Sequence, residues 1–199
     1  MSNFDYKKHL GRPDSCGATY RETNPVTART ADISASGEGC FFSAPTFEAG
    51  KIVADTRADV SSGFSATVYI AELQAPVVKL TCTHSATLKI GRLVGVEALE
   101  INCDYAARIE FVEAIEATKV TFNVSYSSTI IFNHADIDYL NGLLDYASYG
   151  RLRGRVGQPN VDVRHASTWD SQPDNSEPIT SMAVWQQTFA DAGSQPNAG

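Results

Sequence analysis

The chain has 199 residues, of which 43% are hydrophobic and 20% charged, enough to bury one sizeable core but not comfortably two. Its 16 Lys and Arg against 23 Asp and Glu give a formal charge of -7, which argues against a nucleic-acid-binding surface built on net charge. Composition also excludes collagen, a coiled coil and a fully disordered chain, and no window approaches the roughly 18 consecutive apolar residues of a membrane span.

Residues 1–57 carry Gly11, Pro13, Gly17, Pro25, Gly37, Gly39, Pro45 and Gly50 among polar residues, with little periodicity before Lys51-Ile52-Val53. They read as an N-terminal extended arm or irregular cap. Residues 1–25 are polar from the start, without a hydrophobic export core, so the expectation is cytoplasmic synthesis without a signal peptide, ending in the cytoplasm or in a virion or released particle. Cys16, Cys40, Cys82 and Cys103 contain no C-x-x-C pair. In a chain without a visible export signal they read as reduced, mostly buried thiols, with a Cys16 to Cys40 disulfide as the alternative.

Residues 58–170 hold the main signal, one short pattern written six times: an aromatic or His, two small residues, then x, apolar, x, apolar. The copies begin at Phe64, His84, Tyr105, Tyr126, Tyr146 and His165, at spacings of 20, 21, 21, 20 and 19 residues. Before the copies run alternating strands: Val78-Leu80-Cys82, Leu99-Ile101-Cys103, Val120-Phe122-Val124 and, more weakly, Leu140-Gly142-Leu144 and Val161-Val163. Period-two alternation buries one face and wets the other. A third apolar point follows at Leu73, Leu93 and Val94, Ile115 and Ile137. Strand, small-residue corner, strand and short third side in about 20 residues make one rung of a repeat fold. The expected fold is all-β, a single-stranded parallel β-helix (β-solenoid) of about six rungs. An antiparallel sandwich is the competitor, but its strands would not repeat the same chemistry in the same slot.

At the corners the sequence resembles the head GIN domain, an autotransporter-adhesin-like β-helix family whose rungs follow a valine-alternating strand with Ser-Gly-Ala-Ser. The counterparts are Thr83-His84-Ser85-Ala86, Ser125-Tyr126-Ser127-Ser128 and the run Gly154-Arg155-Val156-Gly157-Gln158-Pro159-Asn160-Val161. The resemblance spans about residues 60–170 and implies the solenoid fold; it brings no catalytic residues. Where the family places Gly at the first corner position, this chain places its aromatic and His residues.

Those six residues would form a ladder down one edge. If the ladder keeps the parity of the buried slots, it stiffens the corner from inside, the ordinary fate of aromatics; if it faces outward, it becomes a sugar-stacking or partner-binding strip. His134, Asp136 and Asp138 share one strand face and could offer ligands to a cation, although a solvated face is the simpler reading. Arg151, Arg153 and Arg155 project together, either discouraging edge pairing near the end of the stack or meeting an acidic partner. Only Asp104 and Glu110 with Glu100 suggest the acidic cluster of a carbohydrate-active enzyme, and no nucleophile triad, zinc spacing or phosphate loop occurs.

Residues 171–199 begin with a Pro/Asp/Ser linker and continue into a short amphipathic helix over 178–193, whose Trp185 and Phe189 would cap the stack or dock on a neighbouring subunit. The functional expectation is a non-enzymatic structural protein without cofactor or metal. It would be a rigid homo-oligomeric subunit of a virion component or filament, with itself or other structural proteins as partner and neither nucleic acid nor membrane. A surface adhesin or glycan-binding module and a β-helix enzyme follow as alternatives.

Overall fold

The computed structural model describes residues 2, 4–10, 16–40 and 43–172, and the elements named here belong to those residues. The chain runs through β1 (Asp5–Leu10), β2 (Thr19–Glu22), β3 (Val26–Ser36), β4 (Thr46–Gly63), β5 (Thr67–Gln74), β6 (Val77–Thr83), β7 (Thr87–Asp104), β8 (Arg108–Val124), β9 (Thr129–Leu144), β10 (Tyr149–Val163) and β11 (Thr168–Gln172), with no helix among the described residues. Every pairing is parallel. This is the β-solenoid expected from the repeat.

One face stacks segments 19–22, 46–49, 67–70, 87–90, 108–111, 129–132, 149–152 and 168–171. A second stacks 5–10, 30–36, 57–63, 77–83, 98–104, 119–124, 139–144 and 158–163. The short third side aligns Ile52, Leu73, Leu93, Ile115 and Ala135 in one column. Leu80, Ile101 and Phe122 lie over one another as the repeat requires. Stacking at about 4.8 Å satisfies the strand amides and merges the inward residues into a continuous apolar tube.

The stack extends further toward the N-terminus than the sequence suggested, so the count is about eight turns rather than six, and residues expected as an irregular arm are mostly strand. The inward positions there are largely alanine: Ala28, Ala31, Ala35, Ala49, Ala54 and Ala58 are all buried. Alanine alternation is a weak hydrophobic signal, although it fills a narrow tube well. A Cys16–Cys40 disulfide ties this end together across a sequence separation of 24, which corrects the expectation that all four cysteines are reduced. Cys82 and Cys103 are free and buried, as expected. The 178–193 helix, with Trp185 and Phe189, lies outside the described residues.

Candidate functional site

From Phe64 to His165, each corner between the second and first faces is a two-residue turn with both residues in the left-handed region. The first positions (Phe64, His84, Tyr105, Tyr126, Tyr146, His165) have φ between 42 and 54° and the second (Ser65, Ser85, Ala106, Ser127, Ala147, Ala166) between 58 and 63°. This is the dihedral pattern of a type I′ turn, closed for instance by Ala66 N–H donating to Gly63 O at 3.1 Å and Ser167 N–H to Arg164 O at 3.0 Å. Consecutive corners are also bonded to each other: Ser85 N–H donates to Tyr105 O at 2.8 Å and Ser127 N–H to Tyr146 O at 2.9 Å. Beneath the turns, buried hydroxyls meet the freed amides, as where Ser128 Oγ accepts from Ala107 N–H at 3.2 Å.

The six rings stack in one continuous column. Centroids lie 4.4 Å apart for Phe64 and His84, 4.9 Å for His84 and Tyr105, 5.1 Å for Tyr105 and Tyr126, 4.7 Å for Tyr126 and Tyr146, and 4.9 Å for Tyr146 and His165, with planes within 19° of parallel. The column faces solvent: Tyr105 is 50% exposed, Tyr146 47% and Phe64 40%. The inward placement that strand parity suggests therefore does not occur. Cys82 and Ala86 point into the tube, but His84 between them, at the same parity, points out. Two left-handed residues reverse the chain direction at the corner, so strand alternation does not carry through it.

The ladder ends below Phe64 because the same column there holds Gly37. A Cβ on that residue would lie 2.0 Å from the Phe64 carbonyl oxygen.

Two carboxylates brace the ladder. Asp104 accepts from Tyr105 N–H at 2.9 Å and from Ser125 Oγ at 2.9 Å. Asp145 accepts from Tyr146 N–H at 2.9 Å and pairs with His165 Nδ1 one rung along. Desolvation pushes the Asp145 carboxyl up, but the bonds from His165 and Tyr146 N–H outweigh it and hold the group below its ordinary value. The Tyr126 phenol is held above its ordinary value, chiefly by the adjacent Tyr146 phenol, then by desolvation and Tyr105. At neutral pH it therefore stays a hydroxyl able to donate.

Stacking decides what the ladder can contact. His84, Tyr105, Tyr126 and Tyr146 each have a ring over both faces, so they offer a partner edges and hydroxyl or imidazole groups rather than open π-faces. Aromatic pairs of this kind contribute about 0.5–1.5 kcal/mol, while a non-glycine residue in the left-handed region costs roughly 1–2 kcal/mol. The stack therefore does not offset the two strained residues at each corner.

The other candidates are engaged within the chain. Arg151 Nη2 donates to Asn133 Oδ1 at 2.8 Å, Arg153 Nη2 to Asp170 Oδ2 at 2.8 Å, and Arg155 pairs with Asp136. The three arginines that the sequence placed on one side thus serve different partners. Asp136 and Asp138 share a shallow groove of about 450 Å³ with Glu97 and Glu116, where Arg155 also comes within 3.8 Å of Asp138. A guanidinium occupies this cluster, and no metal-holding group of three or more His, Cys, Asp or Glu occurs among the described residues. Glu100 pairs with Lys79 at 3.0 Å on the second face. Glu110 pairs with Arg108 at 3.1 Å on the first, so these acids and Asp104 are not brought to one site. The Cys103 thiol is driven upward, first by the hydrogen bond with Cys82 and then by burial, which leaves it unreactive.

Fold and site together define a class: a parallel β-solenoid with one corner turned outward as an unbroken aromatic ridge. No family model matches the chain, and neither a curated protein nor a solved structure matches it.

Proposed function

We propose that the protein is a non-enzymatic structural module, a rigid rod that joins a repetitive assembly, such as a virion component or a filament, through its aromatic ridge. One observation carries this reading: six rings are held in solvent on backbone that disfavours them. Strain that is not returned by local packing points to a use outside the fold, and a run of exposed rings on a rigid edge is a surface ready to bury. The fold suits such a role because every rung is fixed by its neighbours, so contacts along the ridge are pre-organised and little entropy is lost on docking. The Cys16–Cys40 bridge suits a protein that ends in an oxidising setting, such as a released particle.

The glycan-binding alternative is weaker on geometry, because sugars stack on aromatic faces and the interior faces here are already covered. Light scattering after size exclusion, with negative-stain imaging, tests the proposal. Oligomers, rings or fibres that dissociate when Tyr105 and Tyr146 are both changed to Ala are expected. A monodisperse monomer at about 100 μM, well above the micromolar affinities of transient contacts, would overturn it.

A further inference from the structure

We propose that the ridge meets a second copy of itself, with two chains packed antiparallel about a twofold axis at Tyr126. This rests on the assembly reading and names its partner: the ridge contact closes as a dimer, and a second surface of the rod would have to repeat that dimer into rings or fibres. The ladder from His84 to His165 reads His, Tyr, Tyr, Tyr, His, and so is the same from either end. A twofold axis at Tyr126 sets Tyr126 beside its own counterpart, Tyr105 beside the second copy's Tyr146, and His84 beside the second copy's His165. An isologous contact demands such self-matching, in which residue i meets j and j meets i. The rung spacing supports it too. The ladder repeats at 4.7–5.1 Å from His84 onward, and only a partner with that same period can keep register along its whole length.

The relief of the surface is complementary to itself. Directly beside the ridge runs a column of exposed small residues, Ser65, Ser85, Ala106, Ser127 and Ala147, a step against which the second ridge can lie while the first lies on the opposite step. Ring edges, the only part of the interior rings left free, are what reach that step. The area reaches what is needed: half-exposed rings offer about 100 Å² each, so the five matched rings on each chain bury about 1,000 Å², the level a specific interface needs, before the small-residue step is counted.

A single cysteine distinguishes this register from any other. In the full chain, Tyr126→Cys is oxidised with diamide and run on a non-reducing gel, beside Val77→Cys, an exposed position away from the ridge. The twofold contact predicts a covalent dimer for the first and none for the second. Tyr126→Arg, which sets two guanidinium groups against each other at the axis, should weaken self-association more than tenfold in sedimentation equilibrium. Circular dichroism verifies that each variant is folded, and if Tyr126→Arg does not fold, the cross-link alone decides. Wild-type oligomers that survive Tyr126→Arg and give no cross-link at Tyr126 would overturn the twofold ladder contact and leave the assembly reading standing. A wild type that stays monomeric would overturn both.

Discussion

Replacing Gly142 by Ala sets two opposed effects against each other. Gly142 lies in the inward column above Phe122, in register with it and with Val161. The Phe122 ring tips into the space that the glycine leaves: an added Cβ would lie 2.0 Å from Cζ and 2.3 and 2.4 Å from the two Cε atoms. Gly142 lies outside the left-handed region, so its loss alone would stabilise by about 0.4–1 kcal/mol through the unfolded chain. Against this, overpacking a filled core costs about 1–3 kcal/mol. Phe122 has little freedom to retreat, since it is buried with its centroid 5.5 Å from Trp169 and 6.3 Å from Phe132. Overpacking wins, and Gly142→Ala should cost about 1–2 kcal/mol, lowering Tm by about 2–4 °C for each kcal/mol in a chain of this size. The assay is thermal and urea unfolding of the single variants and of Gly142→Ala with Phe122→Leu, closed as a double-mutant cycle. The clash requires the double variant to be less destabilised than the two singles together, by about 1 kcal/mol. A Gly142→Ala protein as stable as wild type, or a cycle that sums to zero, would show that the ring moves aside freely and would refute the reasoning.

Further expectations can be checked by similar means. Ala106→Gly and Ala147→Gly, at φ of 58 and 59°, remove a left-handed penalty of about 1–2 kcal/mol while adding a glycine entropy cost of about 0.5–1 kcal/mol; each should raise Tm slightly, whereas a drop in both would show that the corners are unstrained. Changing Cys16 and Cys40 together to Ser should lower stability by about 3.5 kcal/mol, the chain-entropy value for a loop of this length, and an unchanged denaturation midpoint would show that the bridge constrains nothing. Asp5, held at about 2 by hydrogen bonds from Arg29 and Thr30, has a folded value below its unfolded one. It therefore supports the docking of β1 fully above about pH 4 and loses that support as pH falls through 2. Protection factors along β1, which divide out the intrinsic slowing of amide exchange in acid, should fall in that window and not above it, and protection that is flat from about pH 5 to pH 2 would remove Asp5 from the account.

How far the structure could be read from the residues depends on which forces act within one rung. The 20-residue period and the inward slots of Leu80, Ile101 and Phe122 were legible, because burial alternation and small corner residues are local demands that each rung must meet by itself. The early rungs were not, since their inward alanines carry little hydrophobic contrast and the loop after Gly37 breaks the spacing. The aromatic departure at the corners was visible as a pattern, and its residues are those of the ridge. Its direction was not visible: period-two counting sends His84 inward with Cys82 and Ala86, and only the paired left-handed turn, a property of the folded corner, sends it out. The partners of Arg151, Arg153 and Arg155 were likewise hidden, because Asn133, Asp170 and Asp136 reach them only once rungs about 20 residues apart are stacked. Sequence by itself determined the repeat, the parallel stacking and the filling of the tube. The tertiary structure decided which way the corner rings face and which charges neutralise one another, because both depend on chain reversal and on neighbours that no single rung contains.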